Sequence, residues 1–346
     1  MKKQYKAALI GCGSRAPAHI EAYDLLDDAE VVACCAPGPT HRDPLAAKYE
    51  LRAYDSAAKM IEVEKPDIVH IITWPDTRVE LMKLVSELGV PLCTTEKPIA
   101  SNVADWRSLI ELEAVSKTKF AVCHQFRWQT DVMRCQDAVN SGLLGKALFL
   151  DISSGMNIAG QGTHTLNYGR SLIGDARVVE IFAGANGWDI EDIGHPAPTS
   201  TEAYLTFDNG VRGLWTSGPV SPRCGDITTT WQHVRMAAYA EKGRILFEEF
   251  GKWEIVSPAG KVCGDNGEFG GWQKSNQIAQ ANFHRAMFDW LEDDAKIPGT
   301  NLEASLHEWA VVLALYQSAL ERKPIKMAGF ASPDNLITLV KNMGAG

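Results

Sequence analysis

The sequence predicts an α/β protein that opens with a Rossmann-type, doubly wound parallel sheet. Three observations carry this. Short β-rich runs alternate with helical-period segments through the first third of the chain. Those runs are continuously apolar, as strands covered on both faces are. The first strand-to-helix turn reads "GCGSRA", Gly11 to Ala16, a GxGxxA pattern in the context that a dinucleotide fingerprint requires.

In chain order, strands are expected at "YKAALI" (Tyr5 to Ile10), "EVVACCA" (Glu30 to Ala36), "DIVHIIT" (Asp67 to Thr73), "PLCTT" (Pro91 to Thr95) and "KFAVCH" (Lys119 to His124). Helical segments between them include "HIEAYDLL", "PLAAKY", "RVELMKLVSELG" and "VADWRSLIELEAVS". From about Cys123, period-2 runs such as "EAYLTF" and "VRGLWTS" take over, separated by turns such as Asp208-Asn209-Gly210. A long helix near Leu302 to Arg322 places Leu306, Trp309, Ala310, Val312 and Leu313 in a core. At 346 residues the chain exceeds a single core, which stops growing at roughly 250–300 residues. Two domains are expected, a dinucleotide-binding one over 1–122 and a second one over 123–346.

Lys and Arg number 34 against 43 Asp and Glu, a net charge of −9, which disfavours nucleic-acid and anionic-membrane partners. No apolar stretch approaches the roughly 20 residues of a membrane span. A small molecule is the expected partner. The eight cysteines (Cys12, Cys34, Cys35, Cys93, Cys123, Cys135, Cys224 and Cys263) show no CxxC pair or zinc-like spacing, so buried free thiols, no metal site and a cytoplasmic, reducing setting are expected. The opening "MKKQYKAALIGCG" has too short an apolar run for a signal peptide.

In the fingerprint, Gly11 allows the tight turn, Gly13 the approach of a pyrophosphate, and Ala16 close helix-strand packing, with Cys12, Ser14 and Arg15 completing the loop. The second strand ends at Ala36, where an acidic residue would hold a ribose 2′-hydroxyl. Thr40, His41 and Arg42 follow it, so NADP is permitted as well as NAD. Ligands of open α/β sheets bind at the carboxyl ends of strands. Thr73, Trp74 and Pro75 stand at one such end, and Glu96-Lys97-Pro98 of "CTTEKPIA" at another. Lys97 would face the nicotinamide, where an ammonium can stabilise a developing alkoxide and exchange a proton with it. Pro98 fixes the turn, and a cis bond is permitted there.

With "TWPDTRVE", "TEKPIA", "HQFRW", "SGLLGKALFL", "TEAYLTFDNGVRGLWTSG", "AEKGRILFEE" and "NLEASLHEWAVVLALYQSALERKPIKM", the chain resembles the Gfo/Idh/MocA oxidoreductases over nearly its whole length. The resemblance implies a nucleotide-binding domain followed by an α/β domain with an open, mostly antiparallel sheet, and a homo-oligomer, dimer or tetramer. It implies that His164 of "GQGTHTLNYGR" shares acid/base duty with Lys97. The family's aspartate of that motif is Gly160 here and the later acidic position is Asn167, so the Asp-His proton unit is incomplete. Tyr168 adds a hydroxyl one turn on, and Arg127 matches a family arginine. His124, Trp128, Asn157 and Gln161 complete the expected substrate lining, Trp128 reading equally as core, while His233 has nothing beyond its polarity to place it there and is not counted. Trp74 replaces a usual proline and Arg78 a usual histidine.

The expected function is an NAD(P)-dependent oxidoreductase acting on a secondary hydroxyl or ketone of a sugar, glycoside or cyclitol. Two alternatives stay open: a redox-neutral NAD-dependent glycosidase or lyase passing through a transient keto-sugar, and a non-enzymatic dinucleotide sensor.

Overall fold

Runs of alanine and branched apolar residues, unbroken over three or four positions, become buried parallel strands. β1 (Tyr5–Ile10), β2 (Ala29–Cys35), β3 (Arg52–Tyr54), β4 (Ile68–Ile71), β5 (Leu92–Glu96) and β6 (Lys119–Cys123) form a six-stranded sheet in the order β3-β2-β1-β4-β5-β6, every pair parallel. The computed structural model describes residues 5–189, 195–224, 229–265 and 271–344. Between the strands run α1 (Ala16–Ala22), α2 (Pro39–Lys48), α3 (Ala57–Glu64), α4 (Arg78–Glu87) and α5 (Val103–Val115). Strand order reverses between β1 and β4, which leaves a crevice at their carboxyl ends.

The chain divides into two units: 1–100, 105–128 and 276–306 make the first, and 101–104, 129–275 and 307–346 the second. This differs from two contiguous blocks meeting at 122/123. The reason is packing: Phe283, Met287, Phe288 and Trp290 join Tyr5, Ala7, Tyr23, Ile68, Leu92 and Ala121 in one apolar cluster. Tyr5 stacks on Phe288 with ring centroids 4.2 Å apart. Each such side chain contributes about 1.5–3 kcal/mol on burial, so the first core is completed from far downstream.

The second unit is built on a nine-stranded sheet. After α6 (Thr130–Asn140) come β7 (Ala147–Ser154), α7 (Thr163–Ser171), β8 (Val178–Asn186), β9 (Ser200–Phe207), β10 (Arg212–Ser217), β11 (Val234–Ala240), β12 (Gly243–Glu248), β13 (Lys252–Ser257) and β14 (Gly260–Asp265). Then follow α8 (Trp272–Glu292), α9 (Leu302–Glu321), β15 (Ile325–Lys326) and α10 (Leu336–Gly344). The sheet order is β14-β13-β12-β11-β7-β10-β9-β8-β15, and only the β7–β10 pair is parallel. Along β9, Thr201, Ala203, Leu205 and Phe207 are buried while Glu202 and Tyr204 are exposed, the period of a sheet with one covered face. α7 packs on that face. Gly169 permits it, since a Cβ there would stand 2.6 Å from Ile152 Cγ2.

All eight cysteines are free, seven buried and Cys263 exposed. No helix of the described residues is long and apolar enough to cross a membrane.

Candidate functional site

The glycine turn, the end of β4 and the end of β5 come together in the first unit. Gly11 has φ +108°, and a Cβ on it would stand 2.4 Å from the carbonyl oxygen of Ile72, so only glycine fits. Gly13 is exposed, with open space where its Cβ would be. Ser14 is exposed beside it, and Ala16 is buried in a cluster with Leu9, Ile20, Cys34 and Ile72. Cys12 lies in that same cluster. Its thiol packs in the core, so what Cys12 offers to the loop is its backbone.

At the end of β2, no carboxylate follows Ala36. Arg42 sits there instead, half-buried, donating through Nη1 to the Ala36 carbonyl at 3.2 Å and through Nε to Asp43 at 2.8 Å. Thr40 is exposed on the first turn of α2. An open glycine, a buried Arg15 Nη2 with no hydrogen-bond partner, and an arginine over the second strand's end fit a dinucleotide's phosphates and ribose.

Glu96 is not half of a surface ion pair with its neighbour. It is buried, with His19 Nε2 at 2.9 Å and Arg15 Nε at 3.5 Å from one carboxylate oxygen. Burial pushes its carboxyl up, but Arg15, the His19 hydrogen bond and Lys97 outweigh it and hold the group well below the usual carboxylate range. Burial keeps His19 below its ordinary value despite Glu96. A neutral imidazole therefore donates to a carboxylate, while Gln280 lies 3.5 Å from its Nδ1. Cys123 Sγ stands with His19 and Glu96 at metal-ligand spacing, each donor within 4.8 Å of the others. A cation there would meet Arg15, and burial pushes the Cys123 thiol up, so the trio fits a hydrogen-bond network better than a metal.

The Lys97–Pro98 peptide is cis. Arg78, buried at the start of α4, donates to the carbonyls of Pro98, of Thr73 at 2.9 Å and of Lys97 at 3.4 Å. One guanidinium thus gathers the two strand ends, and burial pulls it down to about 10. Lys97 is half-buried and Pro75 buried, while Trp74 is 61% exposed.

Residues 5–124 match the oxidoreductase family Gfo/Idh/MocA, NAD-binding Rossmann fold. They are a Gfo/Idh/MocA-family domain. A D-apiose dehydrogenase of Paraburkholderia graminis is 29% identical over 231 residues, 61% of this chain and 60% of that one. A D-apiose dehydrogenase of Rhizobium rhizogenes is 25% identical over 214 residues, 55% and 61% of the two chains. The matched stretch therefore spans about 60% of the length of these curated relatives. An oxidoreductase from Agrobacterium radiobacter, solved with NAD+, L-tartaric acid and magnesium, shares the fold with TM-score 0.80 at 20% identity, over 94% of this chain and 99% of that one.

At the end of the Gfo/Idh/MocA domain, His124 and Arg127 are buried, the Arg127 guanidinium so close to Gly299 that a Cβ there would stand 2.5 Å from Nη2. Trp128 packs against the cluster of Tyr5, Ile68 and Phe288. The half-buried indole thus has one side on the core.

In the second unit His164 and Tyr168 are buried on α7. Burial holds the Tyr168 hydroxyl well above its ordinary value, with Glu249 adding to it. Asn157 turns out to be a cap: its Oδ1 accepts from Gly160 N at 2.7 Å and its Nδ2 donates to the His195 carbonyl at 3.1 Å. The Gly160 backbone N–H is thus engaged by a cap, at the position where the resemblance led one to expect an aspartate. Asn167 donates to Glu308 at 2.8 Å, beside Arg170 at 2.6 Å. Gln161 is buried, and donates to the Trp231 carbonyl at 2.9 Å.

Sequence reasoning missed His19, Gln280 and Glu249. Glu249 is buried, accepts from Gln129 Nε2, and is pushed up to about 8 by burial. The spacing of His19 from the glycine turn was available in the sequence; its pairing with Glu96 was not.

Proposed function

We propose that the protein is an NAD(P)-dependent oxidoreductase acting on a secondary hydroxyl or ketone of a carbohydrate or cyclitol, with Lys97 assisting proton transfer. The supporting observation is Arg78. A buried guanidinium tied to the carbonyls of Thr73, Lys97 and Pro98 builds the lysine turn into the same crevice edge as the glycine loop. Such a fixed ammonium suits general acid/base work on an alcohol.

The Gly11–Arg15 turn would hold the pyrophosphate, and Ala36 and Arg42 would flank the adenosine ribose. When bound, the nicotinamide supplies a hydride acceptor or donor at C4. Lys97 takes the hydroxyl proton during oxidation and returns it during reduction. His164 is the second unit's candidate acid/base, and Tyr168 its neighbouring hydroxyl.

The relatives named D-apiose dehydrogenase make a small carbohydrate the first substrate to try. Seven buried free thiols suit a reducing, cytoplasmic compartment. Phe182, Tyr204, Phe149 and Tyr239, exposed along the sheet's open face, favour a homo-oligomer.

Incubation with NAD or NADP and a panel of aldoses (D-apiose included), glycosides and cyclitols, followed by nicotinamide absorbance, tests the reading. Turnover by the wild type and its loss in Lys97→Met are expected. Unchanged turnover in Lys97→Met overturns the assigned role. Release of an aglycone with no net cofactor change would assign the redox-neutral chemistry instead.

A further inference from the structure

His164 is the second residue of α7, and the segment that delivers it is not an ordinary helix start. Ile158–Gly162 form a single π turn that runs directly into Thr163. A π turn takes one residue more than an α turn, and an extra residue rotates everything downstream by about 100° around the helix axis. The direction in which α7 presents His164 therefore depends on this turn being kept.

The turn is held from several sides. Asn157, 2% exposed and extended at φ −63° and ψ 166°, caps it, Oδ1 accepting from Gly160 N at 2.7 Å and Nδ2 donating to the His195 carbonyl at 3.1 Å. Gln161 Nε2 donates to the Trp231 carbonyl at 2.9 Å. The junction with α7 is tied to β10: the buried Trp215 donates through Nε1 to Thr165 Oγ1 at 3.2 Å, and Thr165 Oγ1 donates to the Gly162 carbonyl at 2.9 Å. Gly162 leaves no slack, since a Cβ there would stand 2.6 Å from Ile158 Cδ1 and 3.1 Å from Trp215 Cζ2. Just upstream, Gly155 N donates to the His233 carbonyl at 2.6 Å.

The π register competes with the commoner α register, whose hydrogen bonds are better formed. Removing the Asn157 side chain takes this acceptor from the buried Gly160 N–H, and closing to the α register is the local way to replace it. That closure would carry His164 round with the helix. We propose that Asn157 is a positioning residue: by capping the π turn and tying it to the His195 carbonyl, it sets the rotation of α7 and so the presentation of His164, an orienting task for which Gly160 has no side chain. The inference rests on His164 being the second unit's acid/base, as given above.

Full-length protein labelled with 13C at histidine Cε1 gives one resonance per ring, and His164→Asn identifies the His164 signal. Asn157→Ala should move that signal and leave those of His70 and His284, in the first unit, in place. Asn157→Ser restores a neutral acceptor at the cap and should return it. With whichever aldose or cyclitol the wild type turns over, Asn157→Ala should lower kcat by about tenfold, with KM within about twofold and NADH affinity unchanged, and Asn157→Ser should recover most of kcat. Circular dichroism verifies folding; should Asn157→Ala unfold, Asn157→Asp, which keeps the acceptor and loses the tie to His195, decides by a displaced His164 signal. An unmoved His164 signal with wild-type kcat overturns the inference. Parallel falls in kcat, NADH affinity and melting temperature with the signal in place overturn it too, leaving Asn157 a structural cap. Wild-type kcat in His164→Asn sinks the acid/base role of His164 instead, and the resonance test of positioning stands apart from it.

Discussion

His19 donates its Nε2–H to the buried Glu96 carboxylate at 2.9 Å, joining the helix after the glycine turn to the end of β5. The candidate cofactor loop and the candidate catalytic lysine are thus fixed to one another through a hydrogen bond and the Arg15 ion pair. Glu96→Leu should destabilise the protein by about 1–3 kcal/mol, because it leaves the buried His19 Nε2–H without its acceptor and takes the counter-charge from a partly exposed Arg15. The folded carboxyl sits below its unfolded value, so its stabilisation is present above ~4.3 and fades as pH falls toward the folded value. Denaturant midpoints of wild type and variant should therefore converge in acid. A gap that stays constant down to about pH 3 contradicts this account.

Arg78 orders two strand ends through three carbonyls. Arg78→Met should cost about 2–4 kcal/mol and lower kcat more than it raises KM, with Arg78→Lys recovering part of both. A loss confined to stability, with kinetics intact, would make the residue purely structural.

The two glycines of the turn separate folding from binding. Gly11→Ala forces a side chain onto the Ile72 carbonyl at positive φ and should cost about 3 kcal/mol or more. Gly13→Ala meets only open space, so stability should stay within about 0.5 kcal/mol while NADH affinity falls roughly tenfold. Thermal melts and NADH fluorescence read the two effects. Unaltered NADH binding in Gly13→Ala would remove the pyrophosphate from that loop.

Glu249 is buried and raised to about 8 by burial, above its unfolded value. The folded state therefore holds a proton that the unfolded chain gives up above ~4.3, and stability is lost as pH rises through the interval. Glu249→Gln keeps a hydrogen-bonding side chain of the same shape and removes that loss. The variant should gain on wild type from about pH 5 to about pH 9. Parallel melting profiles would show that the carboxyl is ionised throughout.

Much of the first unit was legible from local pattern. Apolar runs at "YKAALI", "DIVHIIT" and "KFAVCH" and glycines at 11 and 13 act over a few residues, so β1, β4, β6 and the turn follow from the chain itself. Lys97 at a strand end was readable for the same reason, as was the change to period-2 strands beyond the helical alternation. Propensity, pleat and turn chemistry are short-range properties.

Tertiary structure decided the rest. His19 meets Gln280 across 261 positions, and His70, central in β4, bonds Tyr23 at 2.7 Å and Thr94 at 2.6 Å inside a buried histidine group with His284. Trp128 went to the core because α8 returns to cover the first sheet, and Asn157 became a cap because the following turn needed one. Trp231, Phe250 and Trp272 are ordinary aromatics in the sequence and a cluster only once folded. The sequence alone determined which segments become strands, helices and the glycine loop, since those are set by neighbours along the chain. Which distant side chains share a buried volume was decided by sheet order and helix return, because packing couples residues through space rather than through the backbone.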